Sequence, residues 1–90
     1  MSTKVKIIEK RKGVIAYDCS KVFYIKLKKG TIVSDHNHNH KEVVFIMEGK
    51  AEVIIENKKL KIKAPAKLEI PSKVYHKFTA MTDLVGLEIK

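Results

Sequence analysis

The stretch GTIVSDHNHNHKEVVFIMEG, from Gly30 to Gly49, holds three of the four histidines of this 90-residue chain. His36, His38 and His40 alternate there, and Glu42 follows two residues after the last of them. Side chains two residues apart share one face of a β-strand, so His36 and His38 can reach the same ion. Because ligand atoms bound to one metal lie only about 3 Å apart, Glu42 can join them only if the chain turns after His38.

The polar tripeptide Asn39-His40-Lys41 is the expected position of that turn, because asparagine suits the unusual backbone angles of turns. The chain then returns as a strand over Glu42–Glu48 and ends it at Gly49. We expect His40 to be exposed at the rim of the site rather than to be a ligand. Asp35 points to the face opposite His36 by the same alternation, so we expect it at the surface.

The rest of the chain indicates an all-β fold, since apolar and polar residues alternate and no helical spacing is sustained. Turn signals such as Lys12-Gly13, Lys29-Gly30 and Thr82-Asp83 separate the segments. We therefore predict one domain over residues 1–90, a small antiparallel β-barrel or jelly roll. The predicted strands are Lys4–Glu9, Val14–Asp18, Val22–Lys28, Val43–Glu48, Ala51–Glu56, Lys58–Lys63, Lys67–Ile70, Val74–Thr79 and Val85–Ile89.

The net charge of +9 raises the possibility of a nucleic-acid-binding barrel. The basic residues are eighteen lysines and one arginine, spread along the chain and mixed with glutamate. Such dispersion is typical of a solvated surface. Aromatic residues are only 7% of the chain and tryptophan is absent, so platforms for stacking bases are scarce. We do not expect nucleic acid to be the partner.

The longest apolar run, Val43–Met47, is far shorter than the roughly 20 residues that span a bilayer, so we expect no membrane association. The single cysteine, Cys19, fits a reducing compartment, and we expect a cytoplasmic protein. Val43–Met47 is apolar on both faces of a strand, which indicates that both are covered. A terminal strand or a second subunit would cover the outer face, and we expect a homodimer.

The spacing of Gly30, His36, His38, Glu42 and Gly49 resembles the first motif of the cupin superfamily, G-x5-H-x-H-x3/4-E-x6-G. All five signature residues are present. Downstream, Pro71-Ser72-Lys73-Val74-Tyr75-His76 resembles the second motif, G-x5-P-x-G-x2-H-x3-N, only in part. Pro71 and His76 match, whereas Pro65, Lys73 and Ala80 stand where the family has glycine, glycine and asparagine.

The resemblance implies a small β-barrel with a metal near one mouth, held by His36, His38, Glu42 and His76. Three imidazoles and one carboxylate suit a divalent transition metal, namely Fe, Mn, Ni, Co, Cu or Zn. Neutral imidazole is the ligand form, so acid is expected to release the metal. The resemblance does not identify a substrate, because cupins include dioxygenases, isomerases, decarboxylases, sensors and storage proteins.

Two functions follow for such a site. The first is a metal-dependent enzyme, of oxygenase or isomerase type, acting on a small molecule; the sequence offers no nucleophile, and no catalytic residue is identified. The second is a metal or small-ligand binding or sensor module without turnover. Alternation predicts a mostly apolar pocket wall without arginine, built from Ile32, Ser34, Val44, Ile46, Val74 and Phe78.

Overall fold

The alternating segments pair into antiparallel sheets in the computed structural model, which describes residues 6–35 and 39–89. Within these ranges no helix is long and apolar enough to cross a membrane. The strands in chain order are β1 Lys6–Arg11, β2 Val14–Asp18, β3 Val22–Leu27, β4 Ile32–Asp35, β5 Glu42–Glu48, β6 Lys50–Ile55, β7 Lys58–Lys63, β8 Ala66–Ile70, β9 His76–Ala80 and β10 Leu84–Ile89.

The strands form two sheets rather than one closed barrel. Six strands pair in the order β1-β2-β3-β10-β5-β8, and four pair in the order β4-β9-β6-β7. Neighbours in the chain often lie apart in the sheets, as in a jelly roll, in which strands cross from one sheet to the other. The all-β prediction is confirmed, and of its two forms the jelly roll fits.

Sequence alternation located most strands and missed one. The bounds of β2 and β7 agree with the predicted ones, and β5 begins at Glu42, as the turn after His38 required, one residue before the predicted Val43–Glu48. Strand β4, Ile32–Asp35, has only four residues and was not predicted. The turn between β6 and β7 falls at Glu56-Asn57. Both residues have positive φ, 48° and 66°, the backbone of a type I′ hairpin turn.

The hydrophobic core lies between the two sheets. Val44, Ile46 and Leu84 contribute to it from the six-stranded sheet, and Val53 and Ala80 from the four-stranded sheet. Along β5 the even-numbered residues from 42 to 46 are buried, and the intervening residues are half-buried. One face of β5 therefore belongs to the core, while Met47, which is 47% exposed, keeps the outer face partly open to water.

Strand β7 forms an edge of the four-stranded sheet. Leu60 pairs with the fully buried Val53, yet it stays 43% exposed because no further strand of this sheet lies beyond it. Lysines occupy the strand at positions 58, 59, 61 and 63, and all four are exposed. Lysine on an edge strand discourages pairing with other chains, so these four of the eighteen lysines have a structural explanation.

Candidate metal centre

The chain changes sheets across the histidine cluster. Asp35 ends β4 in the four-stranded sheet, and Glu42 begins β5 in the six-stranded sheet. Asn39 and His40 form a bend between them, so the turn predicted after His38 is present, and His40 is exposed as expected. His36 and His38 lie outside the described residues.

Glu42 and His76 meet between the sheets. Nε2 of His76 lies 3.8 Å from Oε1 of Glu42. His76 is 1% exposed and Glu42 is 6% exposed, and they are the buried polar residues of the described part of the chain. Two donor atoms bound to one ion at about 2.1 Å lie no more than about 4.2 Å apart. The separation of this pair therefore fits shared ligation of a metal.

The ring of His76 is held in one orientation by its surroundings. Nδ1 lies 3.2 Å from the carbonyl oxygen of Val74. The ring also meets Phe78 edge to face, with centroids 6.2 Å apart. A carbonyl accepts a hydrogen bond, so Nδ1 donates to Val74 and Nε2 faces Glu42. Metal-binding histidines commonly donate their second nitrogen to a carbonyl in this way.

Strand pairing brings the end of β4 beside His76. Asp35 is the register partner of His76 in the β4–β9 ladder, and His36 is the next residue in the sequence. Of the four predicted ligands, the structure brings Glu42 and His76 together. No group of three or more His, Cys, Asp or Glu side chains suited to a metal occurs among residues 6–35 and 39–89.

A cavity of about 300 Å³ adjoins this pair. Val33, Val44, Ile46 and Phe78 are among its apolar lining residues. Val44, Ile46 and Phe78 were predicted to line the cavity. Val33 lines it in place of its predicted neighbours Ile32 and Ser34, and Ile32 is 54% exposed. Ser34 is exposed as well. The prediction of which side chains in this segment face the cavity was therefore wrong. It extended the alternation of His36 and His38 back along the chain, without allowing for a separate strand β4.

Two charged residues in the cavity lining were not found from the sequence. Arg11 at the end of β1 and Glu88 near the end of β10 line the cavity together with Glu42 and His76. The expectation of a wall without arginine is therefore wrong. Arg11 and Glu88 lie far from the motif in sequence, and only the pairing of β1, β2, β3 and β10 brings them to it. The one available signal was that Arg11 is the single arginine among nineteen basic residues.

Surface charges near the site pair with one another. Glu69 on β8 lies 3.2 Å from Lys67 and 3.6 Å from Lys41. The hydrogen bond from Lys67, with the positive charges of both lysines, lowers the pKa of the Glu69 carboxyl below its usual value of 4.5. All three side chains are about half exposed, so the ion pairs are weak and sensitive to salt.

Several solved structures share this fold. Salicylate 1,2-dioxygenase from Pseudoaminobacter salicylatoxidans matches with a TM-score of 0.71 and 21% identity over 74% of this chain. Hydroxypropylphosphonic acid epoxidase from S. wedmorenis matches with a TM-score of 0.80 and 13% identity, over 97% of this chain and 55% of the epoxidase. The plu4264 protein from Photorhabdus luminescens gives a TM-score of 0.77 and 14% identity, over 93% and 78% of the two chains.

These likenesses establish the fold alone. The matched region is only 20% of the dioxygenase chain. A comparison with curated proteins gave no significant match. The model of the cupin domain family, in contrast, matches residues 23–89, which include the whole of both motifs. This chain therefore belongs to the cupin family.

Proposed function

We propose that this protein is a small metal-binding cupin, with residues 1–90 acting as one domain. His36, His38, Glu42 and His76 hold one divalent transition metal. The observation that carries the proposal is the 3.8 Å approach of His76 Nε2 to Glu42 Oε1 between the sheets. Burying a carboxylate beside an imidazole costs stability unless a compensating charge or hydrogen bond is present. A bound cation would supply that compensating charge.

The donor set fits Fe, Mn, Co, Ni, Cu or Zn, because imidazole suits these metals and no thiolate is involved. The contact between His76 Nδ1 and the Val74 carbonyl aims Nε2 toward Glu42, and Glu42 supplies a negative charge. When bound, the metal supplies Lewis acidity toward a small molecule in the adjoining cavity. The apolar wall around Val44 and Ile46 excludes water from the bound molecule.

We further propose catalysis of oxygenase or isomerase type. The cavity of about 300 Å³ is at the small end of the range for ligand sites, so the substrate is a small molecule. A dioxygenase and an epoxidase are among the proteins with this fold, which favours the oxygenase form. Substrate-dependent oxygen uptake by the iron-loaded protein separates an oxygenase from a binding or sensor module, which takes up none.

Metal-dependent thermal stabilisation tests the site itself. Zinc added to tag-free, metal-free protein at 100 times its dissociation constant should raise the unfolding free energy by about 2.7 kcal/mol. Glu42→Gln and His76→Ala should lose most of this gain. Glu52→Gln and His40→Ala are matched controls away from the cavity lining and should keep it. Equal stabilisation of all four variants would show that the zinc binds elsewhere.

We also propose a homodimer formed through the outer face of the six-stranded sheet. Tyr17, Tyr24, Leu87 and Phe45 are consecutive register partners across four strands of that face. All four are half-buried, and the two tyrosine rings pack with centroids 5.8 Å apart. Such an apolar row is typical of a contact between subunits. Leu87→Glu should give a monomer by light scattering at micromolar concentration, whereas the edge variant Leu60→Glu should remain a dimer.

The location proposed is the cytoplasm. Cys19 is exposed and forms no disulfide. An exposed free thiol persists best in a reducing compartment. Thiol labelling of protein from a gently lysed cell extract should find Cys19 reduced.

A further inference from the structure

The single arginine of the chain lies in the lining of the cavity. Eighteen of the nineteen basic residues are lysines, and none of the lysines in the described part of the chain lines the cavity. Arg11 is therefore the cation that a molecule in this cavity meets. A guanidinium stays charged at every physiological pH and offers a planar fork of N–H donors that matches a carboxylate.

Strand register places Arg11 and the proposed metal ligands at different parts of the cavity. Arg11 pairs with Val14, and this row continues through Leu27 to Leu84 at the start of β10. Glu88 lies four residues further along β10, where it pairs with Val44. Glu42 is two residues beyond Val44 on β5. Arg11 thus enters from the opposite end of the strands, and Glu88 and apolar side chains lie between.

The charges of the lining groups also favour an anion. Arg11 carries one positive charge, and Glu42 and Glu88 carry one negative charge each. A bound divalent cation adds two positive charges, so the loaded cavity has one positive charge in excess. A ligand with a single negative charge balances that excess.

We propose that this cavity binds a small organic molecule with one carboxylate, and that Arg11 binds the carboxylate. This proposal rests on the proposed function only for the excess positive charge, which the metal supplies; the guanidinium of Arg11 is charged with or without the metal. The ligand class is a small monocarboxylate, and Arg11 is the residue that selects it.

The remaining lining defines the rest of the ligand. Val33, Val44, Ile46 and Phe78 surround an apolar body, and about 300 Å³ leaves room for a molecule of few heavy atoms. Arg11 already interacts with another group of the protein. Its five N–H donors allow a carboxylate to bind in addition to that partner. Because Arg11 is itself exposed, it lies where an entering ligand first meets the cavity.

Matched pairs of acids and amides test the proposal directly. Benzoate, phenylacetate, butyrate and 3-methylbutanoate are each titrated against the corresponding amide, using zinc-loaded full-length protein and NMR chemical shifts. At least one acid should bind about tenfold or more tightly than its amide, since the hydrogen bonds are charge-assisted. Arg11→Gln should remove this preference. Lys10→Gln, which removes the same charge from the adjacent position on β1, should keep it.

Each result decides one claim. If no acid binds more tightly than its amide, or if Arg11→Gln binds the acids as the unchanged protein does, the role of Arg11 is wrong. Zinc content is measured on every sample, and Arg11→Gln should keep one equivalent. A protein that binds no zinc but keeps an Arg11-dependent preference for acids would contradict the proposed metal function and leave the carboxylate site standing.

Discussion

Nε2 of His76 lies 3.8 Å from Oε1 of Glu42, although the two residues belong to different sheets. The two motifs of the family meet at this contact, since Glu42 lies in the first and His76 in the second. Each side chain is buried. Holding two polar groups between the sheets costs stability relative to well-packed apolar residues, and we propose that the pair serves the metal site instead.

That cost predicts the behaviour of an apolar replacement. The double variant Glu42→Leu/His76→Leu should unfold with a free energy about 1–3 kcal/mol higher than that of the metal-free unchanged protein, because buried polar pairs replaced by apolar residues often gain stability. Urea unfolding after chelation measures the difference. The same variant should gain nothing from zinc. A double variant less stable than the metal-free protein would mean that the pair contributes to folding.

The two glycines of the first motif should differ in their sensitivity to substitution. Gly30 and Gly49 have φ of 86° and 96°, a region that costs other residues about 1–2 kcal/mol. A Cβ on Gly30 would meet no atom within 4 Å, whereas a Cβ on Gly49 would collide with the carbonyl oxygen of Asp83. Gly30→Ala should therefore cost about 1–2 kcal/mol and Gly49→Ala about 3 kcal/mol or more.

Urea unfolding of the two alanine variants side by side checks that order. Equal losses would mean that the β5–β6 turn shifts to accommodate the methyl group, and that backbone angle alone decides both positions.

Lys73 stands where the second motif has a glycine, and its φ is 61°. The backbone there keeps the left-handed conformation that a glycine would adopt without strain. Lys73→Gly should therefore raise the unfolding free energy by about 0.5–1 kcal/mol, since relief of strain exceeds the added freedom of the unfolded chain. Lys77→Gly, in strand β9, should lower it. A loss of stability in Lys73→Gly would mean that the side chain makes a compensating contact.

Glu69 should contribute a small stability that depends on pH. Its pKa in the folded protein is below the usual 4.5, first because of the hydrogen bond from Lys67. The carboxylate therefore stabilises the fold above about pH 4.5, and this contribution disappears as the pH falls through the lowered pKa. Glu69→Gln should melt slightly below the unchanged protein at pH 7 and together with it at pH 3. In 1 M salt the difference at pH 7 should shrink.

Much of the fold could be predicted from alternation because most strands have one face in the core. β2 and β7 were located to the residue, and β5 to within one residue. β4 was missed because four residues, two of them polar, carry too little pattern. The sequence left a closed barrel and a jelly roll both open, and the choice between them depends on how strands pair across the molecule and not on local sequence.

The candidate site was predictable only where a motif defines it. Glu42 and His76 were found from spacing, and the structure brings them together. Arg11 and Glu88 were not, because they reach the cavity through long-range pairing of β1 and β10 into the six-stranded sheet. Their own neighbours in sequence give no sign of it. The ligand roles of His36, His38, Glu42 and His76 stay a prediction.

Metal content of tag-free protein, measured by mass spectrometry, tests the central claim most directly. We predict about one equivalent of a transition metal per chain in the unchanged protein and close to none in His36→Ala/His38→Ala, while His40→Ala keeps its metal. Protein that contains no transition metal and gains no thermal stability from added iron, manganese, cobalt, nickel, copper or zinc would contradict the metal centre.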